Sequence, residues 1–165
     1  LNLIAGVRYT DDKRDFNVLQ YGQLWLDIGI PPVAPVDVSA DRVSWDLTAA
    51  YAVNEDSNFY GRIASGFRAQ SIQGRDVAFL EFPTVADPET ILSFEVGYKA
   101  DFLGNRLRLN ANVVHYTVEV MQLSISGGAS DTNQIINAYK GDATCFELYL
   151  QWLINDNFIA TFGAA

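Results

Sequence analysis

The stretch DPETILSFEVGYKADFLGNRLRLNANVVHYTVEVMQL, Asp87 to Leu123, decides how the chain folds. From Leu92 every second residue is apolar (Leu92, Phe94, Val96, Tyr98, Ala100, Phe102), while Ser93, Glu95, Gly97, Lys99 and Asp101 between them are polar or tiny. A period of two belongs to a strand whose faces meet different surroundings. After Gly104-Asn105 the parity reverses: Leu107, Leu109, Ala111 and Val113 take the apolar side, and Arg106, Arg108, Asn110 and Asn112 the polar one. A two-residue hairpin loop requires that reversal. It sets Leu103 opposite Arg106, Phe102 opposite Leu107, Asp101 opposite Arg108 and Lys99 opposite Asn110. Alternation by itself fits two architectures. In a soluble sandwich the apolar face meets a second sheet; in an outer-membrane barrel it meets lipid and the polar face lines a wet interior.

The remainder of the chain separates them. Leu1 to Tyr9 alternates, with Ile4 as the exception, and Asp11 to about Ala40 reads as a long irregular connection containing Pro31, Pro32 and Pro35. Val43, Trp45, Leu47, Ala49, Tyr51 and Val53 then share a face, Asn54 to Asn58 turns the chain, and Phe59, Gly61, Ile63, Ser65 and Phe67 continue that face. A second long connection, Ala69 to Asp87, precedes the central hairpin, and a third surrounds Ser126 to Asn133. The last long strand runs from about Ile136 to Leu153, with Phe146, Leu148, Leu150 and Trp152 outward and Cys145, Glu147, Tyr149 and Gln151 inward. Asn155-Asp156-Asn157 makes the final turn before Phe158. Connections therefore alternate long and short, as in barrels with short periplasmic turns and long extracellular loops. Aromatics follow the same division: Tyr51, Phe59, Phe102, Trp152 and Phe158 flank short turns, and Tyr9, Trp45 and Phe67 lie near long ones. Two such girdles suit amphipathic rings at two membrane interfaces.

Composition narrows the function. The net charge of −9 opposes nucleic-acid binding, which wants a basic stripe. Most acidic residues are assigned to turns and loops, among them Asp11, Asp12, Asp37, Asp41 and Asp76. One cysteine, Cys145, excludes an internal disulfide, and one histidine, His115, leaves almost no material for a metal centre or a Ser/His/Asp triad. No Gly-rich phosphate loop is present, so neither an enzyme nor a cofactor site is expected. No run approaches the roughly 18 apolar residues of a membrane helix, although 49% of the chain is hydrophobic, so any membrane role falls to strands. The chain begins with Leu and ends on Phe162-Gly163-Ala164-Ala165 within an alternation, which reads as an internal piece of a longer protein.

The order and spacing of Pro88-Glu89, Glu95-x-Gly97-x-Lys99, Leu103-Gly104-Asn105-Arg106 and Met121-Gln122-Leu123 resemble the barrel of TonB-dependent outer-membrane receptors. GVRYTDDKR from Gly6, Asn137 and Glu147 fall where that pattern expects them, whereas Cys145 replaces a usual Gly and Tyr139 a small residue. The resemblance covers residues 1–165. It implies an all-β transmembrane antiparallel barrel of about 22 strands, of which about seven are present, with the plug domain and C-terminal strands outside this sequence. It further implies an outer-membrane receptor that binds a scarce solute of iron-siderophore, cobalamin or glycan type. Import would draw energy from the TonB–ExbB–ExbD system through an N-terminal segment not in this sequence. Expected partners are outer-membrane lipid, the protein's own plug and a small-molecule or oligomeric substrate. A passive porin and a soluble β-rich binding domain are the alternative readings.

Among inward-facing residues, Glu95, Lys99, Arg106, Arg62 and Glu147 are the expected plug contacts; solvating a watery wall, or pairing with one another, is the plainer reading. Trp25, Phe79 and Phe82 are the expected ligand-loop contacts, with loop-on-loop packing as the plainer reading. His115 has outward parity and Cys145 inward; girdle packing and small filler are the plainer readings, a ligand contact near the extracellular mouth and a reactive lumen thiol the alternatives.

Overall fold

The computed structural model describes residues 1–18, 29, 33–76, 82–127 and 132–165. Among the described residues nine strands form: β1 Asn2–Phe16, β2 Val36–Asn54, β3 Ser57–Arg68, β4 Ser71–Gln73, β5 Thr84–Ala86, β6 Glu89–Phe102, β7 Leu107–Gly127, β8 Thr132–Asn155 and β9 Phe158–Ala164. Seven of them make one antiparallel sheet in the order β1-β2-β3-β6-β7-β8-β9, and β4 and β5 pair separately. The seven long strands expected from alternation are therefore present, in chain order. The β4–β5 hairpin within the second long connection was not expected, because three-residue strands are too short to display a period.

The strands also outrun their expected ends. β1 and β2 stay paired out to Phe16↔Val36, so Asp11, Asp12, Asp37 and Asp41 belong to a ladder rather than a loop. Like charges oppose one another at Asp11↔Asp41 and Asp15↔Asp37, a destabilising arrangement relieved in part by Lys13, whose Nζ lies 3.3 Å from Asp11. β8 runs through 24 residues, about twice what a tilted strand needs to cross the hydrocarbon, so its upper part stands clear of the membrane region.

Short turns are set by local chemistry. The side-chain oxygen of Asn54 accepts from the Asp56 amide at 3.0 Å and from the Ser57 hydroxyl at 2.8 Å, and Asn155 accepts from the Asn157 amide at 3.0 Å. Both are side-chain mimics of a backbone turn, each beside a register shift. In the central hairpin Phe102↔Leu107, Asp101↔Arg108 and Lys99↔Asn110 pair as expected. Leu103 and Arg106, however, are not paired, so the loop has four residues instead of two. Leu103, with φ 56°, joins Gly104 and Asn105 in the left-handed region, which ends the extended ladder one step early on each side.

Cross-strand contacts settle the two faces. Tyr60, Glu95 and Asn112 bond one another, as do Asp101 and Arg108, all of them on the polar face. On the opposite face the rings of Phe59 and Tyr98 stack with centroids 4.5 Å apart, and Thr117 bonds Asp142. Large apolar side chains on that face, such as Val7, Tyr51 and Val96, are exposed.

That exposed apolar band is inclined to the ladder. Leu47, Ile63, Phe94, His115 and Thr144 lie in a single hydrogen-bonded row, yet the row changes from apolar on β2, β3 and β6 to polar on β7 and β8. On β2 the band rises to Val43; on β8 it stops at Phe146, whose row leads back through Val113, Val96 and Gly61 to Ala49. The upper edge has dropped by six residues over four inter-strand steps. At ~3.4 Å per residue and ~4.8 Å per step, both distances are about 20 Å, which corresponds to a strand tilt of about 45°. Closed barrels require a tilt of this size and a soluble sandwich face does not.

Candidate functional site: the polar face

Tyr60 organises the middle of the polar face. It stands across from Gly97 in the β3–β6 ladder, and its ring lies where a Cβ at Gly97 would have to be. Only glycine lets the ring pass over the backbone, the packing by which aromatics protect strand glycines. The hydroxyl thereby reaches the next position and donates to Glu95 Oε1 at 2.5 Å, while Asn112 Nδ2 donates to the same oxygen at 3.2 Å. Lys99 Nζ sits over the Tyr60 ring, 5.2 Å from its centroid, within cation–π range. The spacing Glu95-x-Gly97-x-Lys99 is thus one device: an acceptor for the hydroxyl at the end of the ring, a gap for the ring and a cation over its face. Glu147, across from Asn112, and Tyr149 close a hollow of about 570 Å³ beside this cluster.

A second device lies above it. The connection carrying β4 and β5 folds over the polar face of β7 and β8, fastened by the side chain of Gln122. This amide donates to the carbonyls of Ala69 at 2.8 Å and Asp87 at 2.9 Å, and accepts from Ser71 Oγ at 2.6 Å. Its own backbone amide donates to Glu89 Oε2 at 2.6 Å. Asn137 accepts from the Asp87 amide at 2.8 Å and donates to the Asp87 carbonyl at 3.1 Å and the Val120 carbonyl at 2.8 Å. Val120 has φ 56°, a costly conformation for a β-branched residue, at the one position where the β7–β8 ladder is interrupted. The signature residues Glu89, Gln122 and Asn137 therefore converge on a single clamp at the base of the β4–β5 connection.

Farther out, buried Asp76 accepts from both the backbone and the side-chain amide of Asn133, the latter at 3.0 Å. The backbone bond, chiefly, holds the Asp76 carboxyl below its ordinary 3.8. On the other side, the ring of Phe16 at the end of β1 occupies the space a Cβ at Gly74 would need. The connection thus spans the polar face from β1 to β8.

The expected site residues divide. Glu95, Lys99 and Glu147 gather around Tyr60 and Asn112. Arg62 faces the same side but bonds to none of them. Arg106 leaves the group: its guanidinium donates to the carbonyls of Leu153 at 3.2 Å and Ile154 at 2.8 Å, bracing the β8 end. Phe82 is exposed; Trp25 and Phe79 lie outside the described residues. His115 sits on the apolar side at the upper edge of the band, with Nδ1 2.9 Å from Thr144 Oγ1, and Cys145 is exposed. Tyr60, Asn112 and the role of Gln122 were missed. Extending the register from Gly97 to β3 would have placed Tyr60 over the glycine.

Residues 1–164 match the family model described as TonB dependent receptor-like, beta-barrel. No curated protein sequence matches. Among solved structures, the ferric yersiniabactin uptake receptor FyuA from Yersinia pestis is similar, with TM-score 0.67 and 23% identity over 93% of this chain and 22% of that one. The alcaligin outer membrane receptor FauA from Bordetella pertussis gives TM-score 0.57 and 16% identity over 98% of this chain and 27% of its own. A double mutant of the Serratia marcescens hemophore receptor HasR, in complex with its hemophore HasA and heme, gives TM-score 0.53 and 15% identity over 99% and 31%. At these identities the structures speak to the fold, and this chain spans 22% of the length of the first of them. The family match, the inclined apolar band and the polar opposite face agree: the chain belongs to the TonB-dependent receptor β-barrel family of the bacterial outer membrane.

Proposed function

We propose that the chain is a wall sector of a receptor that binds a scarce solute outside the cell and imports it with energy supplied through TonB. The observation that carries this reading is the match of residues 1–164 to the receptor barrel. The polar face, with its clamped β4–β5 connection, supports it, because a connection fastened across the lumen side suits a selective port better than an open pore. Relatives of the same shape are described as ferric yersiniabactin, alcaligin and hemophore receptors, so an iron-bearing cargo is the substrate class we favour.

In this reading Lys99 and Glu147 contact the plug from the Tyr60 cluster, with Glu95 held as the cluster's half-buried anchor and Arg62 and Arg106 above and below it. Phe82, with Trp25 and Phe79, meets cargo at the mouth. The test is uptake of radiolabelled iron chelates by cells carrying the full-length receptor, with and without TonB. Uptake that requires both the receptor and TonB is expected; receptor-dependent uptake that persists without TonB would contradict active transport and favour a passive channel.

A further inference from the structure

Glu95 is the residue directly opposite Arg62 in the β3–β6 ladder, and an ion pair is the ordinary outcome for such a cross-strand couple. Here the carboxylate is engaged by Tyr60 and Asn112 instead. Among the described residues, Arg62 forms no ion pair, and neither do Arg8 or Arg42 on the same face. Arg8 and Arg62 flank a hollow of about 490 Å³ whose floor includes Gly6, Ala64 and Gly66. The small floor leaves the guanidiniums standing above it. Arg42, across from Thr10, lies diagonally above Arg8 and adds a third positive charge. The one carboxylate in the hollow is Asp46, folded over Gly6, with Oδ1 2.5 Å from where a Cβ there would stand. A chain of net charge −9 thus presents a locally positive patch on its lumen side.

Geometry narrows the ligand. Arg8 is level with Gly66, so it is four residues above Arg62 and two strands away, roughly 17 Å between Cα atoms at ~3.4 Å per residue and ~4.8 Å per strand. Two extended guanidiniums bridge most of that span, leaving room for a small molecule with carboxylates at both ends. Guanidinium forks match carboxylate geometry in a way ammonium groups do not. Asp46, between them, can accept from a hydroxyl on the same molecule.

We propose that this hollow binds a small polycarboxylate, free or as the anionic part of a metal chelate, between Arg8 and Arg62. The proposal deepens the receptor reading and rests on it for its biological sense, but its test needs neither TonB nor transport.

Purified full-length receptor in detergent is titrated calorimetrically with citrate as the probe, and each variant's folding is checked by heat-modifiable gel mobility. One citrate per receptor is expected for the unaltered protein. R8Q/R62Q should weaken it by about tenfold or more, each single variant by less, and D46N should tighten it by removing the opposing charge. K13Q, altering a lysine on the opposite face, should change nothing. Failure of citrate to bind, equal binding by R8Q, R62Q and the unaltered receptor, or binding that emerges only after the plug is deleted would each overturn the proposal. In the last case the plug itself occupies the hollow.

Discussion

Glu95 and Arg62 face each other across the β3–β6 ladder without forming an ion pair, because the Tyr60 hydroxyl and the Asn112 amide both converge on Glu95 Oε1. One aromatic side chain therefore helps decide how two charged groups of the lumen wall are partnered. On β6 its hydroxyl engages a carboxylate; on β3 the guanidinium opposite is left without that partner.

Replacing Tyr60 with Phe removes a hydrogen bond to a charged group and should cost about 1.5–3 kcal/mol of barrel stability. It should also release Glu95 to pair with Arg62. Urea unfolding of the full-length receptor in lipid reads the first effect. In the Tyr60→Phe background, a further Arg62→Gln substitution should become more costly than it is alone. Additive effects would mean that Glu95 does not change partner.

Gly97→Ala places a methyl group where the Tyr60 ring lies and should destabilise by about 1–3 kcal/mol through displacement of the ring. The cost should shrink in a Tyr60→Ala background. A cost that stays the same would point to backbone conformation in place of the ring contact.

Gln122→Leu removes three side-chain hydrogen bonds that fasten the β4–β5 connection. At about 1 kcal/mol net per bond, local protection should fall by about 2–4 kcal/mol. Hydrogen exchange across Ser71–Gln73 and Thr84–Ala86 should accelerate accordingly while β3 and β6 keep their protection. Uniform acceleration of the whole sheet would show that Gln122 supports the barrel and not the connection specifically.

The outer attachment has its own pH dependence. Because the folded Asp76 carboxyl titrates below its ordinary 3.8, the bonds to Asn133 contribute fully above that value and are lost as pH falls through the depressed folded pKa. Exchange of the Asn133 amide should therefore be flat from neutral pH to about 4, after correction for intrinsic rates, and rise below it. In Asp76→Asn the protection should already be reduced at neutral pH. Loss of protection between pH 5 and 7 would contradict the assignment.

Much of this is legible in the sequence. Parity in Asp87–Leu123 yields the β6–β7 register down to Lys99↔Asn110, since a slip by one residue would turn Leu92, Phe94 and Val96 into the lumen. Alternation also separates Arg62 from Ile63 without error. What stayed hidden were features set by third partners. Leu103 leaves the ladder because three consecutive residues take positive φ, and hydropathy carries no trace of that. The lengths of β1 and β2 were underestimated because strand pairing above the membrane no longer needs an apolar face, so Asp11 to Phe16 looked like loop. Arg106 has inward parity, but its position in the turn lets it reach β8 carbonyls instead.

The apolar face lies in lipid along an inclined band. Leu47 and His115 occupy one ladder row, yet the band places only Leu47 within the hydrocarbon. The most direct measurement is the collision accessibility of nitroxide labels placed singly at Leu47, Arg62, Ile63 and His115 of the full-length receptor in bilayers, with Cys145 replaced by Ser. Labels at 47 and 63 should favour oxygen, and labels at 62 and 115 a water-soluble nickel chelate. Equal accessibility at 62 and 63, or a label at 115 as deeply immersed as one at 47, would contradict the account.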